Sequence, residues 1–252
     1  MLKTRVMPTL LYKDFGLVKG AGFDSWRRVG SVMQAVKVYN MRQVDELVFL
    51  DIRATVENRR PDFTLVDEIA DECFMPLTVG GGVRSVDDVR RLLQVGADKV
   101  AVNTAAVEEP SLISAIADRF GSQCVVVSID FRIRPDGSAE VCTRCGTQCT
   151  GLDPARFAAQ AEQLGAGEIL LTSIERDGTM RGYDLPITKA VAAAVSIPVI
   201  ASGGAGSCGH VSDMLRETEA SAAAMASLFH YTQCTPIEVK SHLAQNGFHV
   251  RT

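Results

Sequence analysis

The chain is 252 residues long, with 46% hydrophobic and 22% charged side chains and a formal charge of −4. That balance excludes a disordered acidic tail and a strongly basic nucleic-acid binder alike, and at about 250 residues one domain, 1–252, can bury roughly three quarters of its unfolded surface. Seven scattered cysteines, an odd number, fit a reducing cytoplasm better than a secreted disulfide framework. No apolar run approaches the ~20 residues that span a bilayer, and Met1 to Gly16 lacks a signal-peptide pattern, so a cytoplasmic protein without membrane or nucleic-acid partners is expected.

Short apolar runs alternate with segments of helical periodicity, which is the pattern of parallel strands covered by crossover helices. Strands are expected at Val6 to Leu11, Glu46 to Asp51, Met75 to Val79, Lys99 to Val102, Val125 to Ile129, Glu168 to Ser173, Pro198 to Ala201 and Ala222 to Ala226. Between them, Asp87 to Gly96 and Pro154 to Gly165 carry apolar helix faces. A shift of 122 positions lays Glu46-Leu47-Val48 on Glu168-Ile169-Leu170, Ile52 on Ile174, and Gly81-Gly82 on Gly203-Gly204. Eight strand–helix units in two similar halves point to an α/β fold, a (β/α)8 TIM barrel with a half-barrel repeat, whose chemistry sits at the carboxyl ends of the strands. A doubly wound open sheet is the alternative, and open sheets rarely repeat themselves at half length.

Glycine-rich runs follow the third and seventh strands: Val79-Gly80-Gly81-Gly82 and Ser202-Gly203-Gly204-Ala205-Gly206. Bare backbone N–H groups approach an anion closely, so two phosphate clamps on opposite sides of one mouth are expected, with Asn103-Thr104 and Ala226-Ser227 as further donors. Either run alone is equally compatible with a tight turn. Carboxylates come next: Asp51 and Asp130 end strands, and Asp177 lies in Ser173-Ile174-Glu175-Arg176-Asp177-Gly178-Thr179. Each is a candidate acid, base or turn cap. Aligning the first and fifth strands places Leu11 opposite Asp130, leaving one carboxylate where a pair would suit proton transfer.

Arg5, Glu46, Lys99 and Glu168 each open or precede a strand at the other end. Two charges of each sign around a barrel floor form either a gate or an ordinary structural ring. Cys142, Cys145 and Cys149 leave open zinc or cluster binding against free loop thiols, because no fourth ligand is apparent. Trp26, with Arg27 and Arg28 in the loop after the first strand, closes over a ligand or covers apolar surface.

Runs such as Asp45-Glu46-Leu47-Val48-Phe49-Leu50-Asp51-Ile52, Gly96-Ala97-Asp98-Lys99-Val100, Asn103-Thr104-Ala105-Ala106-Val107, Gly165-Ala166-Gly167-Glu168-Ile169-Leu170 and Ile200-Ala201-Ser202-Gly203-Gly204-Ala205-Gly206 resemble the cyclase subunit of imidazole glycerol phosphate synthase, from Met1 to Val250-Arg251. The resemblance implies a barrel paired with a separate glutaminase, whose ammonia enters at the base, crosses the centre and attacks a bis-phosphorylated ribulosyl intermediate of histidine biosynthesis. No cofactor is expected. It makes Arg5, Glu46, Lys99 and Glu168 the ammonia gate, and Asp98 and Gln123 part of the glutaminase-facing surface. Gly81, Gly82, Asn103 and Thr104 fall at one phosphate site, Gly203, Gly204, Ala226 and Ser227 at the other. Lys19 matches a lysine of a mobile loop; Asp51, Asp177 and Gly178 join the substrate-binding set. Asp130 matches one catalytic aspartate, and the other falls at Leu11. Leu10-Leu11 and Glu72-Cys73-Phe74-Met75-Pro76-Leu77 resemble second-copy paralogues of surface-polysaccharide (O-antigen) gene clusters, which hand ammonia to a separate acceptor enzyme building an acetamidino sugar of lipopolysaccharide. A sugar-phosphate isomerase of the related barrel type is a weaker fit, because that chemistry also uses acids at both positions.

Overall fold

The computed structural model describes residues 3–14 and 16–251; Met1, where the family likeness begins, Leu2, Phe15 and Thr252 lie outside the described residues. In chain order the strands are β1 (Arg5–Lys13), β2 (Gly16–Ala21), β3 (Asp24–Gly30), β4 (Leu47–Asp51), β5 (Leu77–Gly80), β6 (Lys99–Val102), β7 (Val125–Ile133), β8 (Ala139–Thr143), β9 (Gln148–Cys149), β10 (Glu168–Ser173), β11 (Val199–Ser202) and β12 (Ala222–Met225). The helices are α1 (Val32–Met41), α2 (Phe63–Glu72), α3 (Val86–Gln94), α4 (Thr104–Glu108), α5 (Ser111–Phe120), α6 (Pro154–Gln163), α7 (Leu185–Ala194), α8 (Cys208–Glu217), α9 (Ser227–Tyr231) and α10 (Pro236–Gln245).

Eight strands close a parallel ring: β1 pairs β4, then β5, β6, β7, β10, β11 and β12 follow, and β12 returns to β1. This is the expected barrel. Closure leaves the ring of eight without a free edge, and successive side chains alternate between the lumen and the helices. Along β1, Val6 and Leu10 join the large outer core, whereas Met7 packs in a separate inner cluster with Val48, Val126, Leu170 and Ile200. Among the described residues, no helix is long and apolar enough to cross a membrane.

The repeat is written into the helices. α1 and α2 recur 122 positions later as α6 and α7 with the same bounds. Their caps recur as well. Asp62 accepts from Leu65 N at 3.0 Å and Asp184 from Ile187 N at 3.1 Å, while Ser85 and Ser207 each accept at 3.2 Å from the backbone three residues on. An Asp or Ser at the N-cap satisfies an amide that the helix leaves unpaired, typically stabilising the helix by ~1 kcal/mol.

Strand ends differ from the expected ones. Glu46 and Pro198 lie just before β4 and β11, Met75 lies two residues before β5, and Ala226 follows β12. The expected loop after β1 is instead the β2–β3 hairpin, and the segment after β7 holds β8 and β9. Both were hidden for a physical reason: β3 and β9 face solvent and carry no apolar run to mark them. Each half thus opens with a strand extended by an antiparallel ribbon over the mouth.

Candidate functional site

The carboxyl ends of the barrel strands surround a cavity of about 420 Å³. Thr9, Leu11, Ser128, Asp130, Leu170 and Thr172 line its depth, and both glycine runs line its rim, with Trp26 and Phe23 of the hairpin above. Trp26 therefore borders this cavity.

The two rims are built alike. Gly81 and Gly82 have φ of +107° and +75°, and Gly203 and Gly204 have +87° and +108°. A Cβ on Gly81 would stand 2.2 Å from Asp51 O, and one on Gly204 would stand 2.1 Å from Gly182 O. Only glycine satisfies both demands, which is why the runs recur. Asn103 and Ala226, which precede α4 and α9, have similar backbone angles and make no side-chain cap bond. Thr104 and Ser227 follow them and are buried. Asn103 Nδ2 donates to Ser128 O at 3.0 Å, and Gly82 N donates to Thr55 Oγ1 at 3.2 Å. The hydroxyls of Thr9 and Ser227 are buried in this wall without a hydrogen-bond partner. A buried polar group without a partner is costly, so these hydroxyls suit a polar ligand.

The three carboxylates fall into different environments. Asp51 accepts from Arg53 N and Ala54 N at 3.0 Å and pairs with Arg59 at 3.2 Å, so it caps its own loop. Asp177 meets the Lys19 ammonium at 2.5 Å. Burial raises its pKa and Lys19 opposes that rise. Asp130 is pushed up to about 7, by burial first and by the charge of Asp177 second, with a hydrogen bond from Thr172 opposing. A carboxyl poised near neutrality can give or take a proton. Its expected partner position, Leu11, is buried in the same cavity and titrates nothing.

Lys19, matched by the resemblance to a lysine of a loop, belongs to the regular β2–β3 hairpin. It lies on β2, 1% exposed, because the hairpin is seated on the loop after β10. Gly22 N donates to Asp177 O at 2.9 Å, Tyr231 Oη donates to Lys19 O at 3.2 Å, and Gly178 admits the Gly20 carbonyl where a Cβ would be 2.0 Å away.

At the floor, Arg5, Glu46, Lys99 and Glu168 form one closed circuit. Arg5 Nη1 reaches Glu46 at 2.8 Å and Glu168 at 2.9 Å; Lys99 Nζ reaches Glu46 at 2.8 Å and Glu168 at 3.1 Å. Thr78 Oγ1 donates to the remaining Glu46 oxygen at 2.6 Å. Every carboxylate has two cations and each cation two carboxylates, the condition under which buried charge is tolerated. Asp98 and Gln123 are exposed; Asp98 also accepts from Leu77 N at 2.8 Å and Gln123 donates to Phe120 O at 3.2 Å.

The three loop thiols do not converge. Cys142 and Cys149 face one another at 3.5 Å, whereas Cys145 turns to the cavity, and among the described residues no group of three potential ligands could hold a metal ion. Sequence reasoning missed Thr9, Thr55, Arg59 and Thr172. Thr9 and Thr172 were reachable by period-two alternation from Leu11 and Leu170. Thr55 and Arg59 sit in an irregular loop with no such signal.

Comparison with known proteins identifies the family. The family of histidine biosynthesis proteins matches residues 5–235. The imidazole glycerol phosphate synthase subunits HisF of two Caulobacter vibrioides strains, NA1000 / CB15N and ATCC 19089, are each 50% identical over 252 residues, covering 100% of this chain and 97% of theirs. The chain belongs to the histidine biosynthesis protein family, on the branch of HisF-like imidazole glycerol phosphate synthase cyclase subunits.

Proposed function

We propose that this chain, as a single barrel domain, is the ammonia-channelling subunit of a glutamine amidotransferase system and that its own ring-forming chemistry is impaired. One observation carries the reading: an intact charge circuit at the floor lies beneath a mouth in which Leu11 stands where a second carboxylate would serve. Arg5, Glu46, Lys99 and Glu168 form the gate. Asp98 and Gln123, exposed at the same end, contribute to the face that a glutaminase covers. Ammonia admitted there moves up the lumen to the mouth, where a phosphorylated ligand sits between the two glycine clamps, held by Asn103, Thr104 and Ser227. Loss of one positioned proton-transfer group typically costs ~10²–10⁴-fold in rate. The Leu10-Leu11 pattern supports delivery of ammonia to a separate acceptor enzyme that builds an acetamidino sugar for lipopolysaccharide.

The second reading is a working imidazole glycerol phosphate synthase subunit in histidine biosynthesis. Asp130, poised near 7, and the retained Lys19–Asp177 pair favour it, as does 50% identity to HisF proteins. One set of assays separates the two. The purified chain is mixed with a HisH-type glutaminase, glutamine hydrolysis is followed, and the bis-phosphorylated ribulosyl substrate is then supplied with ammonium salt. Stimulated hydrolysis, with turnover that appears only in Leu11→Asp, supports channelling without cyclisation. Appreciable wild-type turnover supports the second reading, and failure to bind or stimulate the glutaminase overturns the first.

A further inference from the structure

Two thiols meet beside the first clamp. Cys142 on β8 and Cys149 on β9 are register partners in an antiparallel pair, and their Sγ atoms are 3.5 Å apart. Antiparallel partners lie within the Cα separation that a disulfide spans, so shortening this gap to about 2 Å needs little more than side-chain rotation. The two thiols differ in access: Cys149 is exposed and Cys142 is buried. Burial, and then the neighbouring Cys149, push the Cys142 thiol up to about 12. An oxidant in solution therefore reaches Cys149 first, and Cys142 waits behind it.

The turn between them is attached to the site. Arg144 N donates to Thr104 Oγ1 at 3.0 Å, and Asn103 Nδ2 donates to Cys142 O at 3.3 Å. Arg144 and Cys145, at φ of +51° and +58°, hold a left-handed conformation that side chains other than glycine disfavour. Such a turn tends to relax unless its surroundings hold it. A covalent tie across its base would hold it, and with it Thr104.

We propose that Cys142 and Cys149 are a peroxide-responsive dithiol whose disulfide fixes the β8–β9 turn against the Asn103–Thr104 clamp. The Cys149 thiolate attacks hydrogen peroxide, forming an S–O bond and breaking O–O, with release of hydroxide. The Cys142 sulfur then attacks the Cys149 sulfenic acid, forming S–S and breaking S–O. The leaving hydroxyl takes the Cys142 proton as water. Two sulfurs are oxidised by one electron each and the peroxide is reduced to water.

The test uses the full chain treated with hydrogen peroxide, alkylated and mapped by non-reducing mass spectrometry. The expected first product is the Cys142–Cys149 link, with Cys145 still open to alkylation. Cys208 and Cys234 are also 3.5 Å apart, but both are half-buried, so their link forms later. In Cys142→Ser, Cys149 accumulates as a sulfenic acid trapped by dimedone; in Cys149→Ser, Cys142 gives no adduct. Amide exchange across residues 143–149 slows by about tenfold in the oxidised protein. A first link at Cys145 or at Cys208–Cys234, equal trapping in the two variants, or unchanged exchange in the linked protein overturns the proposal.

Discussion

At the scale of single residues, the mouth is governed by what surrounds Asp130. Burial and the Asp177 charge hold its pKa at about 7, well above the ordinary carboxylate value of 3.8. Where the folded pKa exceeds the unfolded one, the folded state binds the proton more tightly. Stability is then undiminished below about pH 4 and declines as pH climbs towards about 7. Asp130→Asn cannot ionise and escapes that decline. In urea unfolding at about pH 5 and pH 8, the wild type is expected to lose on the order of 2 kcal/mol more than the variant between the two conditions. Parallel losses in the two proteins would assign the titration elsewhere. The sequence announced Asp130 and Leu11 by alignment of two strands, yet it could not rank the carboxylates. Asp51, equal to the others on paper, spends its oxygens on Arg53, Ala54 and Arg59, and only the folded loop reveals this.

Among elements, the β2–β3 hairpin was the least legible. Its outer strand is exposed almost throughout, so nothing in the apolar pattern marks it, and a lysine on it was expected on a loop. What seats the hairpin is equally silent in sequence: a carbonyl of Gly20 enters the space left by Gly178, whose φ is +77°. Gly178→Ala places a methyl group in that space and strains the backbone as well. The expected outcome is a raised hairpin and a weakened Lys19–Asp177 contact. Limited trypsin digestion should then cut after the exposed Arg27 or Arg28 about tenfold faster than in the wild type, and an unchanged rate would mean the hairpin is held by other contacts. The helices were easier to read. Pro154–Gln163 lies within its expected segment and Val86–Gln94 starts one residue before its own, because apolar faces and capping residues mark helices from within.

For the whole molecule, the repeat at 122 positions was the decisive clue, since it implied two half-barrels before any strand boundary was certain. The charge circuit is one place where those halves are tied. Glu168, from the second half, bonds both Arg5 and Lys99 from the first. Glu168→Gln leaves buried Arg5 and half-buried Lys99 to share Glu46. Removing one member of a buried ion group typically costs about 3–5 kcal/mol, so the urea midpoint should fall substantially. Arg53→Ala, which breaks an exposed pair with Glu57, should change stability by no more than about 1 kcal/mol. Equal effects of the two changes would show that the floor circuit does not join the halves.

The strand order also shapes the space inside. Ala101 on β6 and Ala222 and Ala224 on β12 face inward from strands four places apart in a ring of eight, and so from opposite walls. The sides between them carry Met7, Val48, Leu170 and Ile200. Small methyl side chains therefore face one another across the lumen between walls of larger ones. A larger side chain at any of these alanines would project further inward, so the inner width at these two walls depends on the smallness of one residue type on two strands related by the repeat.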